Sequence, residues 1–95
     1  MAGAVGTATL DFGTTPGTNI VSVVVTGQAS ITGTSSVEAF MMGTDSTATH
    51  NQYEHALAPI RLSCIAINAG TGFTIQGISE TRLTGTFVIR WVWSD

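Results

Sequence analysis

Along most of this chain, apolar and polar side chains alternate with a period of two. In Thr7-Ala8-Thr9-Leu10-Asp11-Phe12, Ala8, Leu10 and Phe12 share one face and the polar residues share the other. That is the signature of a half-buried strand. It stops at Gly13-Thr14-Thr15-Pro16-Gly17, where the Pro-Gly pair suits the two central positions of a type II turn. Residues 20–26 are apolar on both faces for much of their length and read as a central strand. Gly27 breaks that run, and a third extended segment is placed around Ala29-Ser30-Ile31. Residues 37–42 return to strand, with Val37, Ala39 and Met41 opposed to Glu38, Phe40 and Met42.

The second half continues the pattern. Residues 58–67 form a strand with Pro59 near its start, where no ladder donor is required. Asn68-Ala69-Gly70-Thr71 turns the chain into a strand over 72–78, with Phe73 and Ile75 inward, and residues 79–85 are a polar link. The closing run 86–93 places Phe87, Ile89, Trp91 and Trp93 on one face and Val88, Arg90 and Val92 on the other. Only residues 43–57 lack a strand pattern. They are read as a long mobile loop, too short and too rich in threonine for a stable helix, with Asp45 or Ser46 capping a single turn at most.

Short strands without crossover helices predict an all-β fold: one domain over 1–95, a small antiparallel β-sandwich or jelly roll of about six to eight strands, with no substantial helix. The predicted core is Leu10, Phe12, Val23, Phe40, Leu62, Cys64, Phe73, Ile75, Phe87 and Ile89. Indole rings bury on the order of 150–250 Å² each. A core this thin is not expected to hide both Trp91 and Trp93, so one of them is assigned to a subunit interface. Arg90, Tyr53, His50 and His55 complete the candidate assembly residues.

Composition sharpens this picture. Hydrophobic residues make up 43% of the 95 positions but charged residues only 9%, against roughly a quarter in ordinary soluble domains. Threonine, serine and glycine therefore carry the wet surface, and threonine also favours extended backbone. There is no lysine, the cations are Arg61, Arg82 and Arg90, and the net charge is −3. With no basic stripe to displace counterions, nucleic acid is not an expected partner. Little like charge means little self-repulsion, which favours assembly into a homo-oligomer. Cys64 has no partner for an internal disulfide, and it reads as a small core residue because it alternates with Ile60, Leu62 and Ala66. The start of the chain has neither the basic residue nor the apolar run of a signal peptide. Apolar stretches such as Val23-Val24-Val25 fall far short of the roughly 20 residues needed to span a bilayer, so no membrane association is expected.

The candidates for chemistry are few. His50 and His55, with Asp45, Tyr53 and Glu54 nearby, lie in the loop five residues apart without a cysteine, unlike zinc ligands. They read as loop histidines satisfied by water or a subunit neighbour, and no metal is expected. Asp11, Glu38, Glu54, Glu80 and Asp95 are scattered over different segments, so no acid-base pair is read. No serine sits in a glycine-flanked elbow, and Gly70-Thr71-Gly72 lacks the lysine and following helix of a phosphate loop. The expectation is a non-enzymatic protein with no catalytic residue and no cofactor.

Two resemblances add to this. Gly72-Phe73-Thr74-Ile75, a polar link and Phe87-Val88-Ile89-Arg90-Trp91-Val92-Trp93 resemble the closing two strands of H-type lectin domains, six-stranded sandwiches that form trimers. That resemblance implies a glycan-binding module, with a trimer favoured and a dimer possible, touching a surface glycan through loop residues such as His50, Asn51 and Tyr53, although none of that family's sugar-binding residues carries over. A second resemblance spans nearly the whole chain, through Thr7-Ala8-Thr9-Leu10-Asp11-Phe12-Gly13, Pro16-Gly17, Val25-Thr26-Gly27-Gln28, Glu38-Ala39-Phe40-Met41 and Leu83-Thr84-Gly85-Thr86-Phe87 through Asp95. These segments resemble small virion structural proteins of tailed bacteriophages. The implied role is capsid decoration (cement) or a small tail or fibre component, assembled in the host cytoplasm, with capsid or tail proteins as partners and no catalytic residues.

Overall fold

The alternation read from the sequence is realised in a computed structural model that describes residues 3–57 and 59–94. Six strands and one short helix follow in the order β1 (Gly3–Asp11), β2 (Thr18–Val25), β3 (Ser36–Phe40), α1 (Gln52–Leu57), β4 (Ile60–Asn68), β5 (Gly72–Leu83) and β6 (Thr86–Ser94). They form two antiparallel three-stranded sheets, β1-β6-β3 and β2-β5-β4, so β2, read as central from its apolar residues, lies at a sheet edge instead. Each central strand carries the bulk of its sheet's inward apolar side chains: Phe87, Ile89, Trp91 and Trp93 on β6, and Phe73 and Ile75 on β5. The sheets face each other across these residues, with Leu10, Phe12, Val25 and Ile31 completing the buried core. This is the small all-β sandwich that the period of two predicts.

Both indoles are enclosed within the single chain, Trp91 at 6% and Trp93 at 3% exposure. This corrects the expectation that one of them faces a neighbouring subunit. The physical reason is the strand beside them. The β1 residues opposite β6 are small, with Ala4 paired to Trp93, Gly6 to Trp91 and Ala8 to Ile89. Small residues on one strand leave inner-face volume for the rings of the next. Trp93 Nε1 donates to Gln28 Oε1 at 2.9 Å, and the Trp91 ring meets Phe73 edge-on at 5.2 Å.

A Cβ at Gly6 would collide with Trp91 Cζ2. Gly6→Val is therefore expected to cost about 1–3 kcal/mol by overpacking, read as a lower urea midpoint at unchanged m-value. An unchanged midpoint would mean that the ring does not lie over Gly6.

Several expectations need correction. Residues 29–31 form a turn rather than a strand: Gln28 N donates to Thr71 O and Gly70 N to Ile31 O, which drops the Ile31 side chain into the core. Residues 79–83 are strand rather than a link. Ser79, although polar, is buried on the inward face of β5, and Leu83 pairs with Thr18. Thr14 O accepts from Gly17 N across a cis Thr15-Pro16 bond, so Thr15-Pro16, not Pro16-Gly17, is the centre of that turn. The register of β4 against β5 shifts between Cys64 and Ala66. Leu62 and Cys64 still pack against the core, but the inward position after the shift belongs to Ile67, not Ala66. Phe40 lies outside the core at 42% exposure, because the alternation of β3 puts it on the outer face with Glu38, while Val37 and Ala39 turn inward. The remaining predicted core residues, Leu10, Phe12, Val23, Phe73, Ile75, Phe87 and Ile89, are buried or packed against the cluster.

Candidate functional site

Strand β3 pairs with only part of β6. Its last partner is Arg90, opposite Phe40, so β6 residues 86–89 have no strand on that side. An open edge of this kind exposes unpaired backbone groups. Residues 43–57 cover it with side chains. Thr47 Oγ1 donates to Thr86 O at 2.9 Å, Thr86 N donates to Thr49 Oγ1 at 2.9 Å, and Val88 N donates to His55 Nε2 at 3.0 Å. Arg90, the last residue paired with β3, reaches outward and holds Asp45 through two hydrogen bonds, Nε to Oδ2 at 3.1 Å and Nη2 to Oδ1 at 2.8 Å. The long loop read from the sequence makes a clasp on β6.

Inside the clasp lies α1. Asn51 Oδ1 accepts from Glu54 N, and Glu54 Oε1 accepts from Asn51 N, both at 3.0 Å. This reciprocal pair is a capping box, and it starts a helix where none was expected. The signal was present as Asn51-Gln52-Tyr53-Glu54. Asp45 caps nothing here; its carboxylate is taken by Arg90.

The two histidines have different assignments. His55 is 2% exposed. Its Nε2 accepts from Val88 N, so Nδ1 carries the hydrogen and donates to Asn51 O at 3.0 Å. That corrects its reading as a solvated loop or interface residue: it fills the gap beside β6, against the Phe87 ring at 5.2 Å. His50 stacks on Phe87 with centroids 3.9 Å apart and planes 15° from parallel. Its Nε2 faces Thr84 O at 2.7 Å and its Nδ1 faces Glu54 Oε2 at 2.9 Å. Both partners are acceptors, so the two bonds form together only when both ring nitrogens carry hydrogen. His50 commits both ring nitrogens, and Asn51 its side-chain oxygen, to these contacts.

Electrostatics follow from these contacts. The hydrogen bonds from Arg90, and then its charge, hold the Asp45 carboxyl below its ordinary value against the opposing effect of burial. Asp45 in turn raises Arg90. The backbone N–H of Asn51 and then the His50 ring hold Glu54 below its ordinary value. Among the described residues, no three histidine, cysteine, aspartate or glutamate side chains come together to hold a metal. Nor is any described helix long and apolar enough to cross a membrane.

What the clasp leaves free is apolar. On α1, Tyr53 and Leu57 stand one turn apart at 78% and 81% exposure. On the outer face of β1-β6-β3, Val5 lies beside Val92, and an open cleft of about 430 Å³ is lined by Val5, Gly6, Thr7, Phe40, Arg90 and Trp91. On the outer face of β2-β5-β4, Ile20 pairs with Ile78, and Val24 and Ile65 are exposed. Of the six candidate assembly residues, Tyr53 alone is an open apolar contact. Arg90 is half exposed but committed to Asp45, while Trp91, Trp93, His50 and His55 serve the fold. Val5 and Leu57 were missed, since strand alternation says which face a residue takes but not whether that face is covered. Comparison of the chain with protein-family models, curated proteins and solved structures finds no match.

Proposed function

We propose that the chain is a non-enzymatic accessory protein of a tailed-bacteriophage virion, decorating or cementing the capsid or forming a small tail or fibre component. The observation that carries this reading is the outer surface. Large apolar side chains stand exposed on both sheet faces and on α1, in pairs that are neighbours by register or helical spacing. Charge is sparse between them. Faces of this kind on opposite sides of a thin sandwich suit a subunit with neighbours on more than one side. On a lattice, modest contacts engaged together gain strength through effective concentration. Its partners are further copies of itself, with a trimer favoured, and capsid or tail proteins.

Support also comes from where the polar side chains are used. Asp45, Arg90, His50, Glu54 and His55 hold the clasp in place, so the groups best suited to chemistry serve the fold. Mass spectrometry of purified particles is expected to find the chain at a fixed ratio to the major structural protein. Tyr53→Ser with Leu57→Ser is expected to lower that ratio at least about tenfold, while each change shifts stability by no more than about 0.5 kcal/mol, as exposed substitutions do. Particles that lack the wild-type chain altogether would refute the reading.

A further inference from the structure

We infer that residues 43–57 form an acid-released latch over the free half-edge of β6. The inference is independent of the virion reading. Its first ground is the kind of attachment. Among the described residues, no backbone-to-backbone hydrogen bond ties 43–57 to β6; side chains make every polar contact between them. A segment held this way opens without breaking either sheet's ladder. Its second ground is the concentration of titratable groups. A chain with six carboxylate residues, three arginines and two histidines places both histidines, Asp45, Glu54 and Arg90 at this one seam.

Acid acts on one attachment to β6 and on one brace within the clasp, in the same direction. A protonated Asp45 loses its paired bonds to Arg90. A protonated Glu54 loses acceptor capacity toward Asn51 N and His50. The charged and titratable groups facing Asp45 are Arg90 and His55, and those facing Glu54 are His50 and His55. For the two carboxyls the sign is settled: both are held below their ordinary values of 3.8 and 4.5. Their contribution is complete above that range and is lost as pH falls through the lowered values. Opening uncovers Thr86 N and O, Val88 N and the Phe87 ring, an edge able to accept another strand.

Amide exchange tests the latch, with Val88 as reporter and Ile75, in the middle of β5, as the measure of global opening. After correction for intrinsic rates, Val88 protection is expected to fall at least about tenfold more than Ile75 protection as pH is lowered from about 7.5 to about 2.5, through the range of the lowered carboxyls. Asp45→Asn is expected to lower Val88 protection several-fold at neutral pH and leave Ile75 unchanged. Val88 and Ile75 falling in step, or Val88 unmoved by either acid or Asp45→Asn, would overturn the latch.

Discussion

Truncating Trp93 to alanine is expected to cost about 3–5 kcal/mol of folding free energy, and truncating Trp91 a similar amount, because each empties space inside the core. Both rings lie between the sheets, against Gly6, Phe73 and Gln28 rather than against a neighbour. Domains of this length have total stabilities of roughly 5–14 kcal/mol. One such change therefore removes a large fraction of the total, and both together are expected to leave the chain unfolded at room temperature.

Subtler changes separate the two rings. Trp93→Phe removes the donor to Gln28 Oε1. Trp91→Phe removes an Nε1 that is buried without a hydrogen-bond partner, so the relief of an unsatisfied donor offsets part of the lost volume. Trp93→Phe is therefore expected to be the more costly of the pair. Urea unfolding followed by far-UV circular dichroism measures all four variants. If either alanine variant kept wild-type stability and lost self-association instead, that ring would belong to an interface after all.

Why the sequence misplaced these rings shows how far it can be read. Alternation put Phe87, Ile89, Trp91 and Trp93 on one face, and that face is the buried one. What alternation cannot give is register. The room for two indoles comes from Ala4, Gly6 and Ala8 lying opposite them, a pairing between the two ends of the chain. Alone, those residues look like a weak, small-residue strand. Phe40 shows the same limit from the other side: the pattern put it opposite Val37 and Ala39, and burial followed those two rather than the larger ring.

The clasp was hidden for a different reason. Its threonines and histidines carry no periodicity, because they meet β6 through side chains at Thr47, Thr49 and His55 instead of forming a ladder. Only the Asn51-to-Glu54 spacing was legible, as a helix start. A run of hydroxyls reads as a solvated loop unless an unpaired strand edge is known to lie beside it. That edge exists because β3 is only five residues long and ends at Phe40, while β6 continues down to Thr86.

His55→Ala is expected to cost about 2–4 kcal/mol, a loss that its place in a hydroxyl-rich loop would not suggest. Two effects add. The change strands Val88 N–H at a buried edge, which by itself costs about 1–3 kcal/mol, and it empties a ring-sized space against Phe87. His55→Gln keeps an acceptor on a flexible stem and is expected to recover part of the loss. His50→Ala is expected to cost less than His55→Ala, because its ring covers Phe87 from a partly exposed position and its bonds to Thr84 O and Glu54 leave no buried donor unpaired. The ranking, read by thermal and urea unfolding at neutral pH, is therefore His55→Ala most damaging, then His50→Ala, with His55→Gln milder than His55→Ala. A His55→Ala variant as stable as wild type would mean that Val88 N–H finds another partner and that the segment is not anchored through this ring.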